Sequence, residues 1–208
     1  MNVISENVPL RDNRVNRFVF GSLLESVPLE RIIKTSLDWS DERNQIKSSR
    51  LSVGLSFPEH SHWNWEHKAR QTEIYSSFQT LFAIDYEGEI QGLMIVDYAT
   101  QLAKLPPDRG KPILYINYIE SAPHNLYEEP RRFSGIGFNL YRTAILYSLD
   151  KECGGRVGLH ALPQAEEFYA RYCNMTPMEK DPEHENLRYF ESTVEQSCRF
   201  INEEPLEK

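Results

Sequence analysis

The chain has 208 residues, a formal net charge of −8 at pH 7 and an aromatic content of 12%. That length is ample for a core, and the aromatic and apolar content excludes a disordered chain. The acidic balance argues against a nucleic-acid partner, and no apolar run approaches the ~20 residues that span a bilayer, so no membrane partner is expected.

An N-terminus carrying Glu6, Arg11, Asp12 and Arg14 lacks the apolar core of a secretory signal. Cys153, Cys173 and Cys198 follow no metal or redox spacing. Free thiols and a cytoplasmic location are the expectation. An acidic surface suits cationic small molecules or basic peptides, and equally suits plain solubility.

In chain order, residues 1–13 are polar and predict a loose tail. Arg17 to Leu24 (RFVFGSLL) reads as a strand. From Pro28 to about Ile46 a helix is predicted: Pro28 fits a first turn, and Leu29, Ile32, Ile33 and Leu37 recur at helical steps. A second helix is predicted from near Pro58, with Ser56 at its cap, toward Tyr75. Thr80 to Asp85, Glu87-Gly88 and Ile90 to Tyr98 form a hairpin pattern, two apolar runs around a glycine turn. Ala99 to Pro112 is a loop, Ile113 to Glu120 (ILYINYIE) a buried strand, and Pro123 to Arg131 an extended loop.

Next comes Arg132-Phe133-Ser134-Gly135-Ile136-Gly137, followed by apolar residues at helical spacing from about Gly135 to Glu152, where Gly154-Gly155 stops the helix. Arg156 to Leu162 is a short strand, Pro163 to Tyr172 a helix, and Leu187 to Glu191 (LRYFE) the clearest of one or two final strands. The order β-α-α-β-β-β-α-β-α-β, without internal repeat or linker, predicts one α/β domain on a mixed sheet.

A strand, a basic residue, two close glycines and a helix make a phosphate cradle. Glycines leave backbone N–H groups uncovered, and a helix N-terminus adds about half a positive charge. Arg132 supplies a whole charge beside them. The alternative is a tight turn without a ligand.

The stretch from Ile119 to Met175 resembles the GNAT N-acetyltransferases, which move an acetyl group from acetyl-CoA to an amine. Their Arg/Gln-x-x-Gly-x-Gly/Ala signature is matched by Arg132, Gly135 and Gly137, and Ala165-Glu166-Glu167-Phe168-Tyr169 with Met175 matches a second element. The order of the remaining elements also fits. The resemblance implies a mostly antiparallel mixed sheet with helices on both faces and splayed fourth and fifth strands. It implies a single acetyltransferase-like domain over 1–208, with a cofactor-binding core at 135–175. Three departures stand out: the inserted loop Asn125 to Pro130, Leu162 where an asparagine is usual, and Cys173-Asn174 where a glycine is usual.

On this resemblance the diphosphate of acetyl-CoA lies on the amides of Phe133, Ser134, Gly135, Ile136, Gly137 and Phe138. The pantetheine arm pairs with Ile119, Glu120 and Ser121, and Phe168 and Tyr169 flank the cofactor. Tyr169 is the candidate general acid for the leaving thiolate; phenol and thiol pKa values near 10 and about 8.5 make that transfer workable. The base is open. Strand alternation puts Tyr115 and Asn117 on the side shared by Ile119 and Ser121 and turns Glu120 to the opposite face. A water on Asn117 or Tyr115, His124 or Glu128 of the loop, Glu120 itself, or no dedicated base are the alternatives.

His60, His62 and His67 crowd one segment, but a five-residue step between the last two does not stack ligands on a helix face, so no metal is expected. Trp63 and Trp65 are candidates for an acceptor-binding wall, or for plain packing. His160 is expected to be a satisfied core histidine. The function expected is an acetyl-CoA-dependent N-acetyltransferase acting on a small-molecule or peptide amine by direct attack, with a non-catalytic acyl-CoA-binding sensor or regulator as the alternative. Because family members are often dimers, a homodimer is a further expectation.

Overall fold

The computed structural model describes residues 2–52, 54, 62–126 and 131–202. The chain forms two compact units, neither of them a continuous stretch. Met1–Ser76, Thr80–Leu93 and Glu120–Ile136 make the first; Ser77–Gln79, Met94–Ile119 and Gly137–Lys208 make the second. Each is a mixed or antiparallel arrangement of strands with helices, as the residue patterns imply.

In the first unit, β1 (Asn2–Asp12) forms an antiparallel hairpin with β2 (Arg17–Glu25). The expected loose tail is therefore a strand. Its side chains gave little sign of it, because Val8 and Leu10 are its buried positions. Main-chain pairing on both sides holds it: Arg11 and Asp12 also pair with Ser134 and Phe133. Helix α1 (Leu29–Ser52) is longer than predicted and turned differently. Ile32, Thr35, Ser36, Trp39 and Arg43 face inward, whereas Leu37 is exposed.

Helix α2 (Trp65–Ile74) begins later than expected, because Asn64 caps it: the Asn64 carboxamide oxygen accepts from the His67 N–H at 3.0 Å. The predicted cap at Ser56 and start at Pro58, and His60, lie outside the described residues. Strands β3 (Gln79–Tyr86) and β4 (Glu89–Leu102) form the predicted hairpin. Glu87 at φ +53° and Gly88 at φ +85° make its turn, and the Asp85 carboxylate accepts the Gly88 N–H at 3.2 Å.

In the second unit the strand order runs from the later half of β4 through β5 (Pro112–Ser121), β7 (Val157–Ala161) and β9 (Leu187–Ser192) to β8 (Thr176–Asp181). Strand β6 (Phe133–Ser134) belongs to the first unit. Strands β5 and β7 are parallel; β7–β9 and β8–β9 are antiparallel. Helix α3 (Ile136–Asp150) buries Leu140, Tyr141, Ala144 and Ile145 and ends where predicted, with Gly154 and Gly155 both at positive φ. Helix α4 (Val194–Asn202) was not anticipated. Thr193 and Gln196 cap it reciprocally, each side chain accepting the other's backbone N–H, and Phe200 stacks on Phe138 at 4.3 Å. No helix among the described residues is long and apolar enough to cross a membrane.

Gly21 tests the close approach of β2 to β3. A Cβ there would stand 2.6 Å from the Asp85 carbonyl oxygen, which is backbone and cannot swing away. Gly21→Ala is expected to lower unfolding free energy by about 1–3 kcal/mol, read from denaturant melts; an unchanged midpoint would show that the strands separate freely there.

Candidate functional site

The glycine turn is held by two asparagines of the first unit. The Asn13 side chain donates to the Arg131 carbonyl at 2.8 Å and the Ser134 hydroxyl at 2.9 Å, and its backbone N–H donates to the Arg132 carbonyl at 2.9 Å. Asn125, almost fully buried, accepts the Phe133 N–H at 2.8 Å and donates to Gln91 at 3.1 Å. Gly135 sits at φ +95°, a conformation L-residues avoid. The chain then enters α3, where Ile136, Gly137 and Phe138 occupy the first turn and their N–H groups have no acceptor inside the helix.

Two expectations change here. The Phe133 amide is committed to Asn125, so the amides without an acceptor inside the helix begin at the head of α3. The Arg132 guanidinium meets the Glu89 carboxylate at 2.9 Å and lies 4.9 Å over the Phe133 ring. Its charge is partly spent before any ligand arrives.

In the second unit, the second motif glycine has a packing reason. A Cβ on Gly137 would stand 3.3 Å from the Phe168 ring. Phe168 opens a π-helical turn, Phe168–Tyr172, which the chain leaves through Asn174 at φ +52°. Asparagine tolerates that left-handed position best among residues with a side chain, so it replaces the expected glycine without breaking the turn. Tyr169 is buried, and burial pushes its phenol well above the ordinary tyrosine range. It is held as a neutral hydroxyl.

Tyr115 and Asn117 of β5 are both anchored. The Tyr115 hydroxyl and His160 Nδ1 are 2.6 Å apart, and Asn117 donates to the buried Asp97 carboxylate at 3.0 Å. Burial raises the Tyr115 phenol. The parallel register pairs Leu114, Tyr115 and Ile116 with Val157, Gly158 and Leu159, and both strands run on beyond it.

Glu120 belongs to the first unit and is locked. Arg43 Nη1 donates to one carboxylate oxygen at 2.9 Å and the Trp65 indole N–H donates to the other at 2.5 Å. Arg43 also donates to the Trp63 carbonyl at 2.9 Å, and the Trp65 backbone N–H donates to Ser36 at 3.1 Å. Burial pushes the Glu120 carboxyl up to about 7, against the opposing pull of Arg43 and Trp65. Trp65 has no solvent exposure and stands edge-on to Trp39 and Trp63. It is thus an interior group, while the half-buried Trp63 carries Lys68 Nζ 4.6 Å over its ring.

Strand acid and tryptophans, read separately from the sequence, are one network. Its key member, Arg43, was missed, although it continues the Ile32–Ser36–Trp39 stripe of α1 at helical spacing. His124, one alternative base, is held by Glu42 at 3.0 Å and Gln91 at 2.9 Å. Glu128 lies outside the described residues.

No family model matches this sequence, and no curated protein matches it. Among solved structures, an uncharacterized protein from Bacillus halodurans aligns with a TM-score of 0.51 at 11% identity, covering 95% of this chain and 96% of its own. The PaiA N-acetyltransferase from Thermoplasma acidophilum, solved with coenzyme A, aligns at 0.48 and 12% identity over 83% of this chain and 99% of its own. A predicted acetyltransferase from Clostridium acetobutylicum, solved with acetyl-CoA, aligns at 0.43 and 9% identity over 73% and 88%. At such identities a likeness speaks for fold alone.

The Glu120 network makes two measurable statements. Arg43→Ala strands a buried carboxylate and is expected to cost about 3–5 kcal/mol at neutral pH. Because the folded carboxyl titrates near 7 and the unfolded one near 4.5, the folded state holds the extra proton between those values. Stability of the native protein relative to Glu120→Gln should therefore fall as pH rises from 4.5 to 7 and level off beyond. Melting curves with parallel pH dependence for both proteins would remove Glu120 as the titrating group.

Proposed function

We propose that this chain is an N-acetyltransferase of the GNAT kind, moving an acetyl group from acetyl-CoA to an amine by direct attack. The observation that carries the reading is the glycine turn: Gly135 at φ +95°, Gly137 against Phe168, and the first-turn amides of α3 immediately following. Each motif glycine has a separate steric reason, as expected of a backbone shaped to meet a diphosphate. The end of the β5–β7 register at Ile116 and Leu159 supports a pantetheine arm running along the main chain of β5 near Ile119 and Ser121.

The chemistry follows from these groups. The amine lone pair attacks the thioester carbonyl, whose developing negative oxygen takes a hydrogen bond from a β5 N–H near Ile119. As the tetrahedral intermediate collapses, the C–S bond breaks and the thiolate takes the Tyr169 proton. Burial makes that phenol a weaker acid than the thiol, so the tyrosinate is short-lived and recovers its proton from solvent once the thiol has formed. The nitrogen's surplus proton leaves to water, for which Asn117, fixed by Asp97, supplies an oriented partner.

A non-catalytic acyl-CoA sensor is the second reading, and Glu120 favours it. The one carboxylate of β5 is bound on both oxygens and cannot serve as base without breaking the Arg43 pair.

Calorimetry and thiol release separate the two. The native chain is expected to bind coenzyme A and to release free thiol from acetyl-CoA with at least one of a panel of polyamines, amino acids and peptides. Gly137→Val should abolish coenzyme A binding by crowding the head of α3 and pushing the Phe168 ring off it. Tyr169→Phe should lower turnover by about a hundredfold with cofactor affinity kept. Binding without thiol release for every amine would favour the sensor; no binding at all would remove both.

A further inference from the structure

We propose that His160, Asp181 and His184 form a binding site for a divalent transition metal, zinc by preference. All three lie in the second unit. His160 is on β7, Asp181 ends β8, and His184 stands in the turn that leads into β9. Asp181 Oδ2 is 3.2 Å from His160 Nε2 and 3.2 Å from His184 Nδ1, and the three ligand atoms all lie within 4.8 Å of one another. Zinc–ligand bonds of about 2.0–2.1 Å at tetrahedral angles put neighbouring ligand atoms about 3.3 Å apart. The two observed separations match that edge.

The surroundings hold the ligands in place. The His160 and His184 rings are stacked, with centroids 3.9 Å apart and planes 8° from parallel, and a nitrogen of each meets the same Asp181 oxygen. A metal lies in the plane of each imidazole that binds it, so the partly exposed His184 ring would turn out of the stack as the ion enters. The other oxygen, Asp181 Oδ1, accepts the Glu183 N–H at 3.0 Å, and the Asp181 carbonyl accepts the N–H groups of His184 at 3.1 Å and Asn186 at 3.0 Å. The turn is therefore set before a metal binds.

His160 has the partner a metal-bound imidazole needs. Tyr115 is 2.6 Å from its Nδ1, and a hydroxyl either donates or accepts. With Nε2 on a metal, Nδ1 carries the proton and donates to the Tyr115 oxygen, fixing the tautomer without moving a side chain.

Two imidazoles and one carboxylate leave a position for water, the ligand set that suits zinc and its neighbours over magnesium or calcium. The competing charge is Lys104, whose Nζ lies 3.9 Å from Asp181 Oδ2 and 4.3 Å over the Tyr189 ring. It would withdraw onto that ring when a metal arrives. The bound ion would tie β7 to the β8–β9 turn.

The test uses the full chain, stripped with chelator and carrying His60→Gln, His62→Gln, His67→Gln and Cys198→Ser. These changes remove the other histidine cluster and the exposed thiol. Titration with zinc chloride is expected to show one equivalent bound and a rising melting temperature, and cobalt(II) to give visible ligand-field bands. His184→Gln, on a partly exposed turn, should keep the fold by circular dichroism while weakening zinc about tenfold or more and losing those bands. Less than one equivalent in the parent, or equal affinity in parent and His184→Gln, overturns the site.

Discussion

Glu120 is a carboxylate almost wholly removed from water, and the first unit is arranged around it. Moving such a group out of water costs several kcal/mol unless partners replace its hydration. Arg43 of α1 and the Trp65 indole at the start of α2 do so, each on its own oxygen. That requirement fixes the azimuth of α1, whose inward stripe ends in an arginine. It also explains why Trp65, fully apolar in its packing, still points its N–H at the strand. The seating of α1 and α2 thus answers one electrostatic demand.

The glycine turn depends on a second polar arrangement in the same unit. Gln91, fully buried, accepts from Asn125 through its side chain and from the Ala122 N–H through its carbonyl. Asn125 then takes the Phe133 amide, and Asn13 binds the chain on either side of Arg132. A turn with Gly135 at positive φ is costly to order in isolation. Here hydrogen bonds to Asn13 and Asn125 hold the residues that precede it.

Departures from the acetyltransferase pattern have separate physical meanings. Asn174 substitutes for glycine at a left-handed position that asparagine tolerates, so that change is conservative in conformation. Arg132 keeps the motif's charge but pairs it with Glu89. In the second unit, Tyr115 meets the part-buried His160 and Asn117 the buried Asp97, which orient them but also occupy them. The single carboxylate of β5, Glu120, is likewise committed, to Arg43 and Trp65.

Local chemistry was legible in the residues themselves. Glu87-Gly88 marked the hairpin turn, Gly154-Gly155 the end of α3, and Arg132-x-x-Gly135-x-Gly137 the turn before it, because each depends on φ preferences within a few residues. Thr193 and Gln196 carried the start of α4 in the same local way, as a capping pair that periodicity alone passes over. Strand β1 was not legible, since main-chain pairing to β2 and β6 holds it and most of its side chains face solvent. Nor were Arg43 beside Glu120 or His160 beside Asp181 and His184. Those meetings join residues far apart along the chain, and strand register and helix azimuth decide them, which no local preference encodes.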